Sequence, residues 1–231
     1  MRIIIFTDSL GRPRPDISDN NKTYYKDVYG YKLKKYFNKD EIELLYIESL
    51  DTEDAIHWSQ RMVAFREPDL VLFHIGINDC VPRLFNKGNK SIMFIPLFQK
   101  ITFNFFIKLF SYFRYFITRI RPNVYISRED FYKNFWKIIN EIKKYNKNTK
   151  FIAIGIAKSD IQNKKSFGYN RNIIEYNNIL KEIFKENYIE INNIVYTHGL
   201  ISDNLHLTKE SHQELFEVLK NKIEEIKKCV E

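Results

Sequence analysis

Short unbroken apolar runs alternate along the chain with longer stretches in which apolar residues recur every three or four positions. Ile3–Phe6 is the first short run, β-branched and aromatic, ended by Thr7, Asp8 and Ser9; it predicts a buried strand. Ile42–Ile47, Leu70–Ile75 after Pro68, Phe151–Ile156 and the weaker Tyr188–Ile191 predict four more. Helical spacing covers Tyr24–Phe37, interrupted by Gly30, and Thr52–Phe65, with Asp51 or Thr52 as N-cap. It returns in Arg128–Tyr145, Asn170–Lys185 and Thr208–Lys228.

Strands that read as continuous apolar runs, separated by amphipathic helices, predict a parallel sheet covered on both faces. The expected fold class is α/β, a three-layer α/β/α sandwich with a parallel sheet of about five strands joined by right-handed crossovers. The whole chain, 1–231, reads as one domain. Only Cys80–Ile126 breaks the alternation, being far longer than an ordinary strand-to-helix loop. Within this expected helical insertion, at about 80–126, Phe103–Ile117 is dense in aromatic residues and interspersed with Lys108 and Arg114. It is too short and too charged for a membrane span. Three readings compete for it: a buried helix or homodimer interface, a lid over a site, or an interfacial helix on an anionic membrane.

Composition adds little. Hydrophobic residues at 44% and charged residues at 29% are ordinary for a globular protein. The net charge of +8 comes from lysines scattered beside glutamates on helical stretches, which reads as solvated faces. Without any helix-turn-helix, RRM or zinc-finger spacing, a nucleic-acid partner is disfavoured. Cys80 and Cys229 make neither a disulfide framework nor a metal motif. Arg2–Phe6 is too short for the apolar core of a signal peptide, so a cytoplasmic location is expected.

Three short segments carry candidate chemistry. Ser9 follows the first strand, and ligands of parallel α/β sheets bind outside the carboxyl ends of strands. A serine there can also be a simple helix cap. Gly76-Ile77-Asn78-Asp79 follows the third strand; the Asn78 amide could donate to an oxyanion and Gly76 leaves room for close approach. Asn and Asp are also common turn formers. Asp203 stands three residues before His206, a spacing at which a carboxylate can orient an imidazole that acts as general base.

Taken together and in this order, these segments resemble the blocks of the SGNH (GDSL-like) hydrolases, and the resemblance runs over nearly the whole chain. Further echoes are Glu129–Asn134, Tyr176-Asn177 and His206-Leu207-Thr208 followed by Ser211-His212. The resemblance implies an SGNH/flavodoxin-like sheet, Ser9 as nucleophile, His206 as base and Asp203 as its orienter. It implies an oxyanion hole from the Ser9 N–H and Asn78, with no metal and no organic cofactor. Two departures stand out. Thr7 replaces the glycine usual before Asp-Ser, and the block after strand two, Ile47–Asp51, has no glycine, leaving the Ser49 N–H as its candidate donor.

Ser9–Pro15 and Asp79–Arg83 also resemble SGNH-like proteins associated with bacterial surface-polysaccharide synthesis. Arg12, Arg14 and Arg83, with Asp79, are therefore candidate substrate-binding residues; the arginines could instead pair with Asp16, Asp27 or Asp79, or face solvent. His74 reads as a core or near-site residue, and His212 as a support for His206. The implied function is removal or transfer of O-acyl, chiefly O-acetyl, groups on a bacterial polysaccharide or precursor. A lysophospholipase or general carboxylesterase with a hydrophobic lid is the second reading, and a non-catalytic glycan-binding or scaffolding protein the third.

Overall fold

The computed structural model describes residues 1–15, 22–87 and 105–228, with side chains from 112 onward in the helix that begins at 105. Asp16, Phe103 and Cys229, all named above, lie outside the described residues.

Five parallel strands, β1 (Arg2–Thr7), β2 (Glu41–Tyr46), β3 (Leu70–His74), β4 (Lys150–Ile154) and β5 (Tyr188–Ile189), form one sheet in the order β2-β1-β3-β4-β5. Ile5 lies opposite Leu44 of β2 and Leu72 of β3. Because side chains alternate across a strand, the apolar runs supply two cores at once. Ile4, Phe6, Val71, Phe73 and Ala153 pack on one face, and Ile3, Ile5, Leu70, Leu72 and Ile152 on the other.

Helices α1 (Tyr29–Tyr36), α2 (Thr52–Trp58), α3 (Ile77–Cys80), α4 (Phe105–Ile120), α5 (Arg128–Lys143), α6 (Asp160–Lys165), α7 (Tyr169–Phe184), α8 (Asn192–His198) and α9 (Lys209–Lys228) fill the connections. Helix α5 illustrates the local logic. Ser127 caps it by accepting from the Asp130 N–H, and Phe131, Phe135, Ile138 and Ile142 form its buried stripe. They join the core that also takes Ala55 of α2 and Ile173 of α7, while Leu33, Ile194 and Leu215 bring α1, α8 and α9 to the opposite face.

The structure departs from the predicted elements where local signals are short. The Tyr24–Phe37 helix starts only at Tyr29, after a single tight turn at Tyr25–Asp27. Helix α2 ends at Trp58, and the chain widens through Ser59–Val63 before Ala64–Arg66 and the left-handed Glu67 that precedes Pro68. Helices α6 and α8 were not legible as elements; α6 offers only Ile161 as an apolar position. The ends of the expected insertion meet: the Arg83 N–H donates to the Asn123 carbonyl at 2.8 Å and the Ile126 N–H to that of Asp79 at 3.5 Å. Among the described residues, no helix is long and apolar enough to cross a membrane.

The strand order opens a crevice. From β1 the chain first adds β2 on one side and then β3 on the other. The connections leaving β1 and β3 therefore diverge, opening a crevice at the carboxyl ends of adjacent strands.

Candidate active site

Ser9 stands in this crevice, at the start of a tight Ser9–Gly11 turn. Asp8 caps the turn, its Oδ1 accepting from the Leu10 N–H at 2.8 Å. Asp8 is fully buried, and burial pushes its carboxyl well above the usual carboxylate range. Thr7, where the resembling family has glycine, acts as a post: its hydroxyl donates to the His74 carbonyl at 3.0 Å and accepts from the Gly11 N–H at 3.1 Å. A Cβ on Gly11 would meet that Thr7 hydroxyl at 2.6 Å, so the turn requires glycine there.

The loops after β2 and β3 are tied to each other. The Asn78 amide donates to the Leu50 carbonyl at 3.1 Å, and its Oδ1 accepts from Arg83 Nη2 at 3.0 Å. An amide has two donors, so one Asn78 N–H remains for an oxyanion. Gly76 has φ +121, and a Cβ there would meet Ile156 at 3.0 Å and Phe131 at 3.1 Å. Ser49 has φ +57, the left-handed region that glycine favours.

Asp203 and His206 form a close polar pair. Asp203 Oδ2 accepts from His206 Nδ1 at 2.6 Å, and Oδ1 accepts from the Leu205 and His206 N–H groups at 2.9 and 3.0 Å. Burial alone would raise this carboxyl; the hydrogen bonds and the imidazole hold it at about 2. Asn204, with φ +57, makes the turn that lets Asp203 reach forward to His206. Gln162 of α6 fixes the Asp203 carbonyl at 2.8 Å.

The Ser9 turn reaches this pair through Arg14. Arg14 Nη1 lies 3.0 Å from Nδ1 and 3.2 Å from Nε2 of His206, and 3.6 Å from Asp203 Oδ2. A single nitrogen that close to both ring nitrogens lies over the imidazole face. Among the described residues no hydrogen bond joins Ser9 Oγ to His206.

The other predicted residues have definite partners. Arg12 pairs with Glu48 at 2.8 Å, linking the Ser9 loop to the Ser49 loop. Arg83 stacks on Tyr125, 4.4 Å from the ring centroid. Asp79 is fully buried, its Oδ1 accepting from the Thr52 N–H at 2.9 Å. Behind His206, the buried Tyr29 hydroxyl meets His74 Nδ1 at 3.1 Å and the Tyr29 ring packs on His212. Burial lowers both imidazoles to about 3, which keeps them neutral. Cys80 is buried and its thiol is pushed up by burial. The echoes in α5 and α7 are framework residues: Asn134 donates to the Thr52 hydroxyl at 3.2 Å, and Asn177 brackets Ile156 with bonds of 2.8 and 2.9 Å. Thr52, Gln162 and the position of Arg14 had no signal in the sequence beyond residue type.

Asp79 supports a pH prediction. Burial raises its carboxyl to about 7 against the pull of the Thr52 hydrogen bonds. Unfolded, it titrates at about 4, as an ordinary carboxyl does. Between about pH 4 and 7 the unfolded chain ionises while the folded chain keeps its proton, so this group costs stability as pH rises. Asp79→Asn is expected to gain on wild type across that window, on the order of 2–4 kcal/mol, and to hold a constant lead above it. Urea unfolding of both proteins at several pH values checks this; a lead independent of pH contradicts it.

No family model matches the chain, and no curated protein sequence matches it. Solved structures do. A lipase/acylhydrolase from Enterococcus faecalis superposes with a TM-score of 0.64 at 16% identity, over 96% of this chain and 95% of that one. An acetyl xylan esterase, AlAXEase, gives 0.59 at 13% identity, over 96% and 100%. An acetylxylan esterase from Geobacillus stearothermophilus, crystallised as a catalytic mutant, gives 0.58 at 15% identity, over 96% and 94%. The chain has the fold of these enzymes. At such identities the likeness is one of architecture, and the five-stranded parallel α/β sandwich read from the sequence is the architecture they share.

Proposed function

We propose that the protein is a serine esterase of the SGNH type that removes or transfers short acyl groups, chiefly O-acetyl, on a bacterial polysaccharide or its precursor. The observation that carries this reading is the Asp203–His206 pair, closed at 2.6 Å on a loop whose imidazole contacts the Ser9 segment through Arg14. Neighbouring folds named as acetyl xylan esterases supply the carbohydrate-ester substrate class.

In this mechanism Arg14 moves off the imidazole face, and His206 Nε2 takes the Ser9 Oγ proton as Oγ attacks the acyl carbon. The oxyanion is held by the Ser9 N–H, the remaining Asn78 amide N–H and the Ser49 N–H, with Gly76 keeping the approach open. Collapse of the tetrahedral intermediate expels the alcohol, which receives the proton from His206, and leaves acyl-Ser9. Water, or a sugar hydroxyl in a transfer reaction, then gives its proton to His206 and attacks the acyl carbon; the Oγ–acyl bond breaks, His206 returns the proton to Ser9 Oγ, and the free acid or the acylated sugar leaves. Asp203, kept ionised by its hydrogen bonds, steadies the imidazolium at each stage.

One observation favours a second reading, a lysophospholipase or general carboxylesterase that works against an anionic membrane. Helix α4 exposes Tyr112, Phe113, Tyr115, Phe116 and Ile120, with Tyr112 82% accessible. Residues 80–128, which contain that helix, include many Lys and Arg but no Asp or Glu. A series of p-nitrophenyl esters separates the two. Fastest turnover of the acetyl ester is expected; a peak at dodecanoyl, enhanced by phosphatidylglycerol vesicles, would replace the glycan reading with the lipid one.

A further inference from the structure

Of the three arginines that flank the candidate nucleophile and oxyanion residues in sequence, Arg12 is paired with Glu48 and Arg14 lies over His206 beside Asp203. Arg83 has no carboxylate within ion-pair distance among the described residues. Its guanidinium instead donates to Asn78, through Oδ1 at 3.0 Å and the carbonyl at 3.4 Å, and its Nε is buried without a partner.

A second arginine stands beside it. Arg114 of α4 donates from Nη2 to the carbonyl of Pro82, the residue directly before Arg83, at 3.2 Å. Arg114 too has no carboxylate partner among the described residues, and its Nε is likewise buried and unpartnered. Burial and the neighbouring Arg83 both lower the Arg114 guanidinium from its ordinary range. Two like charges held side by side, without a carboxylate between them, repel one another at a cost that an anion would remove.

The third member is Tyr169, the first residue of α7. The start of this helix is fixed against the same segment, since Asn172 donates to the Cys80 carbonyl at 2.9 Å. Tyr169 is 3% exposed, and its hydroxyl is buried with no hydrogen-bond partner among the described residues. Burial raises that hydroxyl, and Cys80, Arg114, Arg83 and Asp203 all lie within electrostatic range of it. A buried, unpartnered hydroxyl costs stability unless a ligand completes it. Two arginine forks and a phenol make a donor set suited to an oxyanionic group rather than to a neutral sugar.

We propose that Arg83, Arg114 and Tyr169 form an anion subsite next to Asn78, which binds a phosphate or carboxylate carried by the substrate on the alcohol side of the scissile ester. Its place in turnover rests on the esterase reading; the binding itself does not. A phosphate would come from a sugar phosphate or lipid-linked diphosphate, and a carboxylate from a uronic acid. Arg83 couples the subsite to the oxyanion hole, because the guanidinium that meets the anion also orients the Asn78 amide. Anionic substrates would therefore be held with the amide already aimed.

The test is titration calorimetry of the full chain with inorganic phosphate, glucuronate and glucose, at ionic strength fixed with sodium chloride. Wild type, Arg114→Gln and Tyr169→Phe are compared, with circular dichroism to check folding. Tyr169→Phe deletes one buried hydroxyl and keeps the ring, so it remains informative if Arg114→Gln misfolds. Expected are binding of at least one anion and none of glucose, roughly tenfold weaker binding in Arg114→Gln and a smaller loss in Tyr169→Phe, following the strength of charge-assisted hydrogen bonds. The tighter of the two anions identifies the group. Absence of anion binding in wild type, or affinity undiminished in folded variants, overturns the subsite. No turnover is involved, so a protein that failed as an esterase would still give this result.

Discussion

Ser9→Ala is expected to reduce ester hydrolysis by about four to six orders of magnitude while leaving the protein folded. The activity loss follows, on the proposed mechanism, from removing the atom that would form the acyl intermediate. The intact fold follows from the turn around it. Asp8 caps that turn through the Leu10 N–H, and Thr7 holds Gly11, so neither bond depends on the Ser9 hydroxyl. Ser9 is only half-buried, and alanine fits the same backbone. Initial rates with p-nitrophenyl acetate and a thermal unfolding scan check both halves. A variant that keeps most of its rate would remove Ser9 from the chemistry.

Asp203→Asn is expected to lower kcat by about four orders of magnitude. The carboxylate does three jobs: Oδ1 accepts two backbone N–H groups, and Oδ2 accepts the His206 Nδ1 proton at 2.6 Å. An asparagine can keep the backbone bonds through its carbonyl oxygen. Its amide then faces Nδ1 as a donor, which favours the tautomer with the proton on Nε2, the nitrogen that must accept from Ser9. Loop geometry survives while the base is disabled. Because hydrogen bonds hold the Asp203 carboxyl at about 2, it stays ionised throughout the neutral range, and its protonation will not limit activity above about pH 4. The kcat of this variant, measured against wild type from about pH 5 to 9, checks the claim. A loss of only a few-fold would mean that His206 does not rely on Asp203.

What the sequence made legible was whatever is local. Ile3–Phe6 and Leu70–Ile75 read as strands because a buried parallel strand is apolar on both faces, and β1 and β3 lie in the middle of the sheet. Ser9, Asn78 and the Asp203–His206 pair were legible because each sits directly beside a strand end or a helix start. The widened turn at Ser59–Val63 was invisible, since its apolar spacing continues that of α2. Helices α6 and α8 are too short for periodicity to reveal.

The least legible features join distant segments. Arg14 and His206 are separated by 192 positions, and no local pattern announces that one guanidinium covers that imidazole. Arg114 drew notice only as a cation in an aromatic stretch; its contact with Pro82 gives it a place beside Arg83. Thr7 and Ser49 looked like defects in the motif. The first is a hydrogen-bonding post for the turn, and the second has a left-handed φ of the kind glycine favours. Residue type recorded the departure, and only φ and hydrogen bonding recorded how it is accommodated.

The central claim, that Ser9 is an activated nucleophile served by His206, is tested most directly with a fluorophosphonate probe, mapped by mass spectrometry on wild type, Ser9→Ala and His206→Ala. The account predicts one adduct, on Ser9, absent from the first variant and nearly absent from the second. A folded wild-type protein that takes up no probe, or carries it on another residue, would contradict it.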